Sequence, residues 1–527
     1  MKKNGKAPLF SKKEWSWIFY DWANSVYATN IMAAIFPTVF VAIAGSQGDQ
    51  WLGYTVSLST FIIAILAPIL GSYADYKGMK KKLFTFFVLV GVIGTALIAC
   101  TDNWVYMLVF YGISRIGFSG SGLFYDSFLT DVTPNERMDK VSSWGYAMGY
   151  IGGSTSPFIV SIALLLVMGY DSIFAQKFSI IITSVWWIIF TIPFFKNVKQ
   201  EHYIEKGDKP LRQSFINVGK TFKSICSKKA MLIYIIAYFF YIDGVGTIIN
   251  ISTAYGSVLG LGAVGMILAL VVTQLIGMPS AILFNTLANK INARRALILA
   301  IIIYFFICLV GFYMGFSLEP HQATLDNQCA ETFLPSIAEY APDALEGNTT
   351  DDYKTAYDAY VEDAIAAIKS KDYIAEIGKL TMTTDSTDEK TVQLVATFAP
   401  LLQEKALAFI TEQKEIIETY HNAVNFSSIL FWAMACLVGT VQGGIQAVSR
   451  SYFGKLVPKE RSGEYFGFFD IFGKFASVMG PLLYAVIASV TGRSSFAVLS
   501  LGVLFIIGLI MMVLGGKAMD EATAQTK

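Results

Sequence analysis

The chain has 527 residues, of which 54% are hydrophobic and only 15% are charged, with a formal net charge of +1. An ordinary soluble domain carries roughly 25% charged residues. This composition excludes a soluble globular enzyme and indicates a membrane protein. The five cysteines and three histidines form no disulfide framework, metal-ligand cluster or catalytic triad, and no Gly-rich phosphate loop is present, so no cofactor is expected.

Twelve apolar runs approach or exceed the roughly 18 residues needed to cross a bilayer. The runs are continuous rather than alternating, which favours helices over barrel strands. The first run is too long for a cleaved signal, so we interpret it as a retained helix. The predicted fold is therefore all-α, with spans at about 17–43, 51–73, 83–100, 105–128, 142–168, 177–195, 230–253, 263–286, 296–317, 425–449, 465–490 and 495–515.

Charged residues inside these spans are candidate functional groups, because a charge at membrane depth costs about 2.5 to 3.5 kcal/mol. Asp21, near Asn24 in span one, and Asp243 in span seven could exchange a proton, and the fold implied by the resemblance described below would place both on a central cavity, facing it from opposite lobes. An alternative for Asp21 is a pair with Lys12 or Lys13. Arg115 in span four could bind a substrate carboxylate or neutralise one of the two aspartates.

The last third of the chain carries further polar groups in predicted spans. Gln442 and Gln446 in span ten offer hydrogen bonds to a substrate, or alternatively bonds between helices. Asp470 and Lys474 in span eleven are four residues apart on one helix face, which favours a structural ion pair. This pair could also meet Asp75 or Asp126 across the lobe interface.

Charge is distributed unevenly along the chain. Alternate short loops are basic, so the positive-inside rule places these loops and both termini in the cytoplasm. The polar stretch 318–424 has a net charge of −13 and therefore emerges on the opposite side. Helical spacing of its apolar residues predicts a helical cap. The cap could gate substrate or bind an extracytoplasmic partner, or it could be a solvated decoration.

The sequence is also duplicated. Pro134, Glu136, Arg137 and Pro157 recur at a constant offset of 324 residues, as Pro458, Glu460, Arg461 and Pro481. Residues 70–83 have a weaker repeat that begins at Phe284. A duplicated apolar chain is typical of two-lobed transporters whose path lies between the lobes.

The stretch Gly71-x-x-x-Asp75-x-x-Gly78-x-Lys80-Lys81-Lys82 resembles the loop between spans two and three of the major facilitator superfamily. The glycines permit close helix packing, the aspartate stands at a helix end and the lysines remain in the cytoplasm. This resemblance implies a structural latch, so Asp75, Lys80 and Lys81 are predicted to gate the path. We place Asp126, Asp470 and Lys474 in the same gating group.

A narrower resemblance involves several motifs of the spans. The motifs are Trp17-x-x-Tyr20-Asp21-Trp22-Ala23-Asn24-Ser25-x-Tyr27-Ala28-Thr29, Phe36-Pro37, Arg115-x-Gly117, Phe124-Tyr125, Glu464-Tyr465-Phe466-Gly467 and Gly480-Pro481. With these motifs the chain is similar to the "unknown major facilitator" family, whose fungal relatives are autophagy-linked vacuolar amino-acid effluxers, although Asp126 stands where that family usually has Asn. The resemblance implies that an amino acid or small peptide-like zwitterion is transported.

We therefore expect a monomeric, proton-coupled secondary transporter of the cell (inner) membrane that binds a small molecule and no nucleic acid. Alternatives are a sugar or nucleoside carrier of the same fold, or a membrane receptor or scaffold that uses the insert to bind a partner. The predicted units are 1–195 (N-terminal lobe), 196–229 (cytoplasmic linker), 230–317 (spans seven to nine), 318–424 (insert) and 425–527 (spans ten to twelve).

Overall fold

A computed structural model describes residues 8–44, 48–154, 156–169, 172–206, 210–333, 348–384 and 389–525. These residues are almost entirely helical, and the described part contains no strand beyond one isolated bridge between Tyr76 and Ile204. The protein is an all-α membrane protein, as the sequence predicts.

The first half of the chain forms one helical lobe. Its helices are α1 (Lys12–Val26), a π-helical segment (Tyr27–Ala34), α2 (Phe36–Ala44), α3 (Gly48–Ala74), α4 (Met79–Ile98), α5 (Trp104–Ser127), α6 (Leu129–Val132), α7 (Met138–Ser154), α8 (Ser156–Met168) and α9 (Ile173–Asn197).

The second half repeats this arrangement with longer helices. They are α10 (Pro210–Ser227), α11 (Lys229–Val258), α12 (Ala263–Ile291), α13 (Ala293–Phe333), α14 (Asn348–Lys369), α15 (Tyr373–Lys379), α16 (Glu389–Glu412), α17 (Lys414–Leu456), α18 (Ser462–Thr491), α19 (Ser494–Leu514) and α20 (Gly516–Gln525).

Within the described residues, eleven helices are long and apolar enough to cross a membrane. Ten of them coincide with predicted spans, and the eleventh is Thr391–Glu412 of the insert. Predicted spans one and four are not among the eleven. Both are nevertheless present as helices: α5 is rich in Gly and Ser and contains Arg115, whereas span one is divided between α1, the π segment and α2.

The break in span one has a local cause. A π segment widens the turn, and the Ile35 amide donates to the Asn30 carbonyl five residues earlier. The side chain of Asn30 is fully buried, and its amide nitrogen donates to Ser161 and Thr183, which satisfies N–H groups that lipid could not solvate. Pro37 then follows at the start of α2, where a missing amide hydrogen costs little.

The two lobes approach each other most closely between α3 and α18. A Cβ on Gly71 would lie 2.2 Å from the carbonyl oxygen of Gly463, and one on Gly467 would lie 2.6 Å from that of Ala67. Backbone therefore packs on backbone at this seam, and the first glycine of the predicted latch motif is needed for that contact. A second seam joins α7 to α12, where Tyr150 covers Gly277.

The insert is built on continuations of two spans. The boundaries predicted at 318 and 424 fall inside α13 and α17, which run on to Phe333 and start already at Lys414. Their outer turns pack with the three intervening helices around a separate hydrophobic core that includes Phe333, Tyr357 and Tyr420. The predicted helical cap is present, but it is an extension of the membrane helices rather than a unit on a loop.

The base of the cap contacts the second lobe. Glu319 accepts hydrogen bonds from Arg493 and from the backbone amide and hydroxyl of Ser495 at the start of α19. The cap core also includes Leu259 and Leu261, which connect α11 to α12. The cap is therefore fixed to the second lobe.

The linker 196–229 differs from the polar loop that the sequence predicts. Residues 200–204 lie beside the loop after α3, with the amide of Ile204 donating to the carbonyl of Asp75. The remainder contains the helix α10, which ends two residues before α11 begins.

Candidate functional site

One end of the molecule holds the lobes together. We call the end that carries the basic short loops the basic end, and the opposite one the insert end. Hydrogen bonds and ion pairs join one lobe to the other near the basic end. They involve Asp21, Asp75, Lys80, Asp126, Asp139, Ser142, Ala447, Arg450, Ser451, Lys455, Ser462, Gly463 and Glu464. The structure is thus closed at the basic end.

Arg450 of α17 is the centre of these contacts, and its side chain is only 3% exposed. Its Nη1 donates to the Asp126 carboxylate at 2.9 Å, and its Nη2 lies 3.6 Å from the Asp21 carboxylate. Its Nε and Nη2 donate to the hydroxyl and carbonyl oxygens of Ser142, each at 3.0 Å. All three nitrogens of the guanidinium therefore have partners in the opposite lobe.

Aromatic rings surround the same guanidinium. Its central carbon lies 4.7 Å from the ring centre of Trp17, 5.3 Å from that of Tyr125 and 4.4 Å from that of Tyr146. Tyr125 also donates its hydroxyl to Asp21 at 2.8 Å. Cation–π contacts and two carboxylates together compensate the cost of burying this charge.

The duplication explains why these groups meet. Asp126 and Arg450 are separated by 324 residues, which is the repeat offset, so they occupy equivalent positions in the two lobes. Equivalent positions near a pseudo-twofold axis face each other. With a carboxylate in one copy and a guanidinium in the other, that contact is attractive.

Small residues make room for Asp21. A Cβ on Gly145 of α7 would lie 2.9 Å from its Oδ2, and one on Gly149 would lie 2.9 Å from the neighbouring Ser25 hydroxyl. These two glycines allow α1 and α7 to pack closely around the carboxylate. The alternative predicted partners of Asp21 are wrong for this conformation, because Lys13 instead donates to Glu201 and to the carbonyl of Asp131.

A cleft of about 180 Å³ lies between the lobes beside this cluster. Its polar lining consists of Asp126 from the first lobe, with Tyr238, Asp470 and Lys474 from the second. Asp470 and Lys474 form the predicted ion pair one turn apart on α18. Asp126 lines the same cleft as this pair, whereas Asp75 lies elsewhere.

The latch motif forms a second contact between the lobes. The Asp75 carboxylate accepts hydrogen bonds from the backbone amides of Gly463 at 2.8 Å and Glu464 at 2.9 Å, in the first turn of α18. A carboxylate at a helix N-terminus satisfies free amides and interacts favourably with the helix dipole. Asp75 thus caps a helix of the opposite lobe.

Lys80 is completely buried next to this cap. Its ammonium donates to Asp131 at 2.8 Å within its own lobe and to the Ser462 hydroxyl at 2.7 Å across the interface. Burial raises the pKa of Asp131, but Lys80 and His202 outweigh that effect and hold the pKa below its usual range. Lys81, in contrast, donates to the carbonyls of Phe195 and Val198, at the end of the first lobe.

A third contact involves Asp139 at the start of α7. Its carboxylate accepts a hydrogen bond from Ser451 at 2.6 Å and pairs with Lys455. Asp139, Ser142 and Arg450 were absent from the predicted site. In the sequence, Arg450 stands at the end of a predicted span, where charged residues are common. The 324-residue repeat offset that relates it to Asp126 was the signal that indicated a partner.

Arg115 does not reach either aspartate. Its guanidinium donates to the Ser59 hydroxyl of α3 at 3.2 Å and to the Tyr111 hydroxyl at 3.3 Å, and it lies over the Tyr111 ring. The predicted pairing with Asp21 or Asp243 is therefore corrected, because Arg450 neutralises Asp21 instead.

Asp243 is fully buried inside the second lobe rather than exposed to a central cavity. A Cβ on Gly480 of α18 would lie 2.0 Å from the Thr247 hydroxyl and 3.0 Å from the Asp243 carboxylate, so these groups fill the space that the glycine leaves. No lysine, arginine or histidine of the described residues forms an ion pair with Asp243.

The remaining predicted residues lie apart from the cleft. Asn24 is buried on α1, and Gln446 is half-buried on α17. Gln442 lines an apolar cavity of about 90 Å³ inside the second lobe, together with Tyr255 and Phe431. Within the described residues, no group of His, Cys, Asp or Glu is arranged to hold a metal ion.

Comparison with known proteins identifies this architecture. The profile of the family described as "Vacuole effluxer Atg22 like" matches residues 51–337 and 426–522. The chain belongs to this family. The segment between the two matched ranges corresponds to most of the insert.

Individual relatives agree with this assignment. The chain is 38% identical over 516 residues to an uncharacterised MFS-type transporter of Bacillus subtilis, covering 95% of this chain and 94% of that protein. It is 23% identical over 341 residues to autophagy-related protein 22-1 of Penicillium rubens, covering 50% of this chain and 57% of that one.

Solved structures share the fold. A bacterial homologue of the iron transporter ferroportin in an outward-facing state aligns with a TM-score of 0.53 at 11% identity, covering 97% of this chain and 98% of that one. The proton:xylose symporter XylE aligns with a TM-score of 0.52 at 11% identity, covering 95% and 94%. This member of the Atg22-like family is thus a multi-pass transporter of the major facilitator fold, and not an enzyme.

Proposed function

We propose that the protein carries an amino acid or a small peptide-like zwitterion by alternating access, with a proton as the coupled ion. The observation that carries this proposal is the chemistry of the cleft between the lobes. Asp126, Asp470 and Lys474 offer both signs of charge around about 180 Å³, and Tyr238 adds a hydroxyl. A zwitterion presents the complementary ammonium and carboxylate.

Substrate binding would act on existing contacts. A substrate carboxylate near Lys474 would compete with Asp470, and an ammonium near Asp126 would compete with Arg450. Because Arg450 joins the lobes, such competition weakens the closure at the basic end. The cleft thereby couples occupancy to the rocking of the lobes.

The coupled proton is assigned to Asp243. An ionised carboxylate is costly in a buried site without a counter-ion. Asp243 is fully buried on α11 and contacts α18, the helix that also carries Asp470 and the amides capped by Asp75. A change of charge there would act on the helix that moves against the first lobe.

The orientation follows from the basic loops. Lysines and arginines favour the cytoplasmic side, so we assign the basic end to the cytoplasm and the cap to the outside of the cell membrane. The protein is a monomer in this proposal. The family description names effluxers, which supports export as the net direction.

A thermal-shift screen of detergent-solubilised protein tests the substrate class. Amino acids, dipeptides, sugars and nucleosides are compared, because a ligand that binds the folded state raises the unfolding temperature. The proposal requires stabilisation by an amino acid or dipeptide that is lost in Lys474→Gln. Lys414→Gln is the matched control, since Lys414 forms an exposed i,i+4 pair with Glu418 on α17, far from the cleft. Stabilisation by sugars alone would replace the proposed substrate class.

Liposome transport tests the coupling. A proton gradient should drive solute accumulation by the unmodified protein, while Asp243→Asn should lose this accumulation but retain solute exchange. Asp358→Asn, an exposed carboxylate of the cap, serves as the control. Accumulation that survives Asp243→Asn would assign the proton to another group.

The cap favours a second candidate function, that of a scaffold for an extracytoplasmic partner. It has a hydrophobic core of its own, which a mere decoration does not need. Removal of residues 334–412 with a short linker between α13 and α17 separates the two functions. Transport that persists while a cellular phenotype disappears would support the scaffold.

A further inference from the structure

The linker helix α10 has an unusual distribution of buried and exposed residues. Its buried side chains are Ser214, Asn217, Thr221 and Ile225, so three of the four are polar. Its large apolar side chains point away from the protein, with exposed fractions of 59% for Leu211, 61% for Phe215, 44% for Ile216 and 52% for Phe222. A helix that docked only on its own protein in water would show the opposite pattern.

The exposed side of α10 is itself divided. At about 100° per residue, Leu211, Phe222 and Phe215 fall within about 40° of one another. Arg212, Lys223 and Lys220 occupy the adjoining arc, where Ile216 is the one apolar side chain among them, and the helix contains no acidic residue. An apolar stripe beside a cationic stripe is the arrangement of helices that lie in the plane of a membrane surface.

The position of α10 brings it to the bilayer. Only Lys228 separates its last residue from α11, a membrane span. Its side chains contact the first turns of α18, with Ser224 and Tyr465 hydroxyls 3.0 Å apart and the rings of Phe222 and Phe468 at 6.1 Å. The helix therefore lies against the ends of the spans rather than at the tip of a loop.

We propose that α10 is an interfacial helix that inserts Leu211, Phe215 and Phe222 into the leaflet at the basic end and binds the phosphate headgroups of anionic lipids through Arg212, Lys220 and Lys223. Apolar side chains gain from burial among acyl chains, while cations near the surface of an anionic leaflet gain by charge attraction. The occupant is lipid, because the apolar stripe and the cations adjoin each other at the level where acyl chains meet headgroups. The inference concerns binding and stands whether or not the proposed substrate is correct.

The free thiol of Cys226 provides a reporter on α10, since it is exposed and lies on the arc between the two stripes. Cys100→Ser and Cys436→Ser remove the other accessible thiols, and an environment-sensitive fluorophore is attached to Cys226. The labelled full-length protein is placed in nanodiscs of phosphatidylcholine with increasing fractions of phosphatidylglycerol. We expect a shift of the emission to shorter wavelength as the anionic fraction rises, and reversal of the shift by high salt.

Charge substitutions define the headgroup contribution. Each cation removed should weaken the preference for phosphatidylglycerol about fivefold, so Lys220→Gln with Lys223→Gln should raise the midpoint of the titration by about 25-fold or beyond the accessible range. Lys354→Gln with Lys371→Gln is the matched control, because both lysines are exposed in the cap and remove the same charge. A midpoint that moves equally in both double variants would overturn the proposal.

Quenching measures insertion independently of charge. Phospholipids with a nitroxide near the headgroup should quench the fluorophore, and Phe215→Ser should reduce the quenching while the protein remains folded. Emission typical of bulk water in every nanodisc would show that the apolar face meets the cytoplasm or another protein, and the proposal would then be wrong. Equal emission in neutral and anionic nanodiscs would equally refute headgroup binding.

Discussion

Arg450→Met should open the basic end of the transporter. The substitution keeps most of the side-chain volume but removes two ion-pair contacts, two hydrogen bonds to Ser142 and three aromatic contacts. Removal of one partner of a buried ion pair costs about 3 to 5 kcal/mol, because the other charge remains buried. The carboxylate of Asp21, whose side chain is 14% exposed, would be left in that state, and that of Asp126, which is 32% exposed, to a lesser degree.

The expected effect on the conformational equilibrium follows from this cost. Opening the basic end gives both carboxylates fuller access to water, so most of the lost energy applies to the closed state. The ratio of open to closed molecules should then increase by between about 10² and about 4 × 10³, since about 1.4 kcal/mol corresponds to a factor of ten. Smaller observed changes are expected only where the open state is already well populated.

Alkylation of a buried thiol measures this change. Ser451→Cys is introduced in a background of Cys100→Ser, Cys226→Ser and Cys436→Ser, because Ser451 is fully buried at the interface near Asp139. The rate of labelling by a maleimide should rise strongly in Arg450→Met.

Arg493→Met is the control for this experiment. Arg493 also pairs with a carboxylate, that of Glu319, and contacts two aromatic rings, but it lies at the insert end within one lobe. It should not affect labelling of position 451. Equal labelling of Arg450→Met and the parent protein would refute the assignment of Arg450 as the main closing contact. Addition of Asp21→Asn and Asp126→Asn should restore part of the protection, since neutral amides tolerate burial better.

Three further outcomes are expected from the same interface. Gly71→Ala should speed the labelling of Ser451→Cys about 5- to 100-fold. Its Cβ would collide with the Gly463 carbonyl, and overpacking costs about 1 to 3 kcal/mol. Gly219→Ala is the control, because Gly219 has open space around it. Lys80→Met should lower the thermal unfolding temperature in detergent, because it leaves Asp131 buried without its cation; an unchanged temperature would show that His202 compensates. Asp131 has a depressed pKa in the folded protein, so its contribution to stability is present above about pH 4 and disappears as pH falls through the depressed pKa. Unfolding temperatures recorded between pH 7 and pH 3 should therefore decline below pH 4. The decline should be smaller in Asp131→Asn.

Much of the architecture was predictable because bilayers restrict what a chain can do. Continuous apolar runs predicted ten of the spans, and the constant repeat offset predicted two lobes. The insert boundaries were less predictable, since hydropathy falls at Glu319 and Pro320 while the helix continues to Phe333. A helix that leaves the membrane loses its apolar composition without losing its hydrogen bonds.

The site was only partly predictable, because its contacts join residues hundreds of positions apart. The motif containing Asp75 indicated a latch, but no local pattern shows that the carboxylate caps α18. Asp243 and Arg115 were predicted as site residues because they are charged residues within apolar spans. Arg450 lies near a helix end, where charged residues are common. The equal spacing of Asp126 and Arg450 was the available signal, and it required the pseudo-symmetry to be applied residue by residue.

The unbroken helix α17 has a mechanical consequence. Its 43 residues span about 65 Å, with Arg450 close to one tip and the core of the cap at the other. A tilt of about 10° around the arginine would therefore sweep the far tip through roughly 10 Å, a distance that spectroscopic rulers resolve easily. Small displacements at the buried charge cluster thus produce a large displacement of the cap outside the bilayer. A molecule that binds the cap could stabilise either end state of this movement.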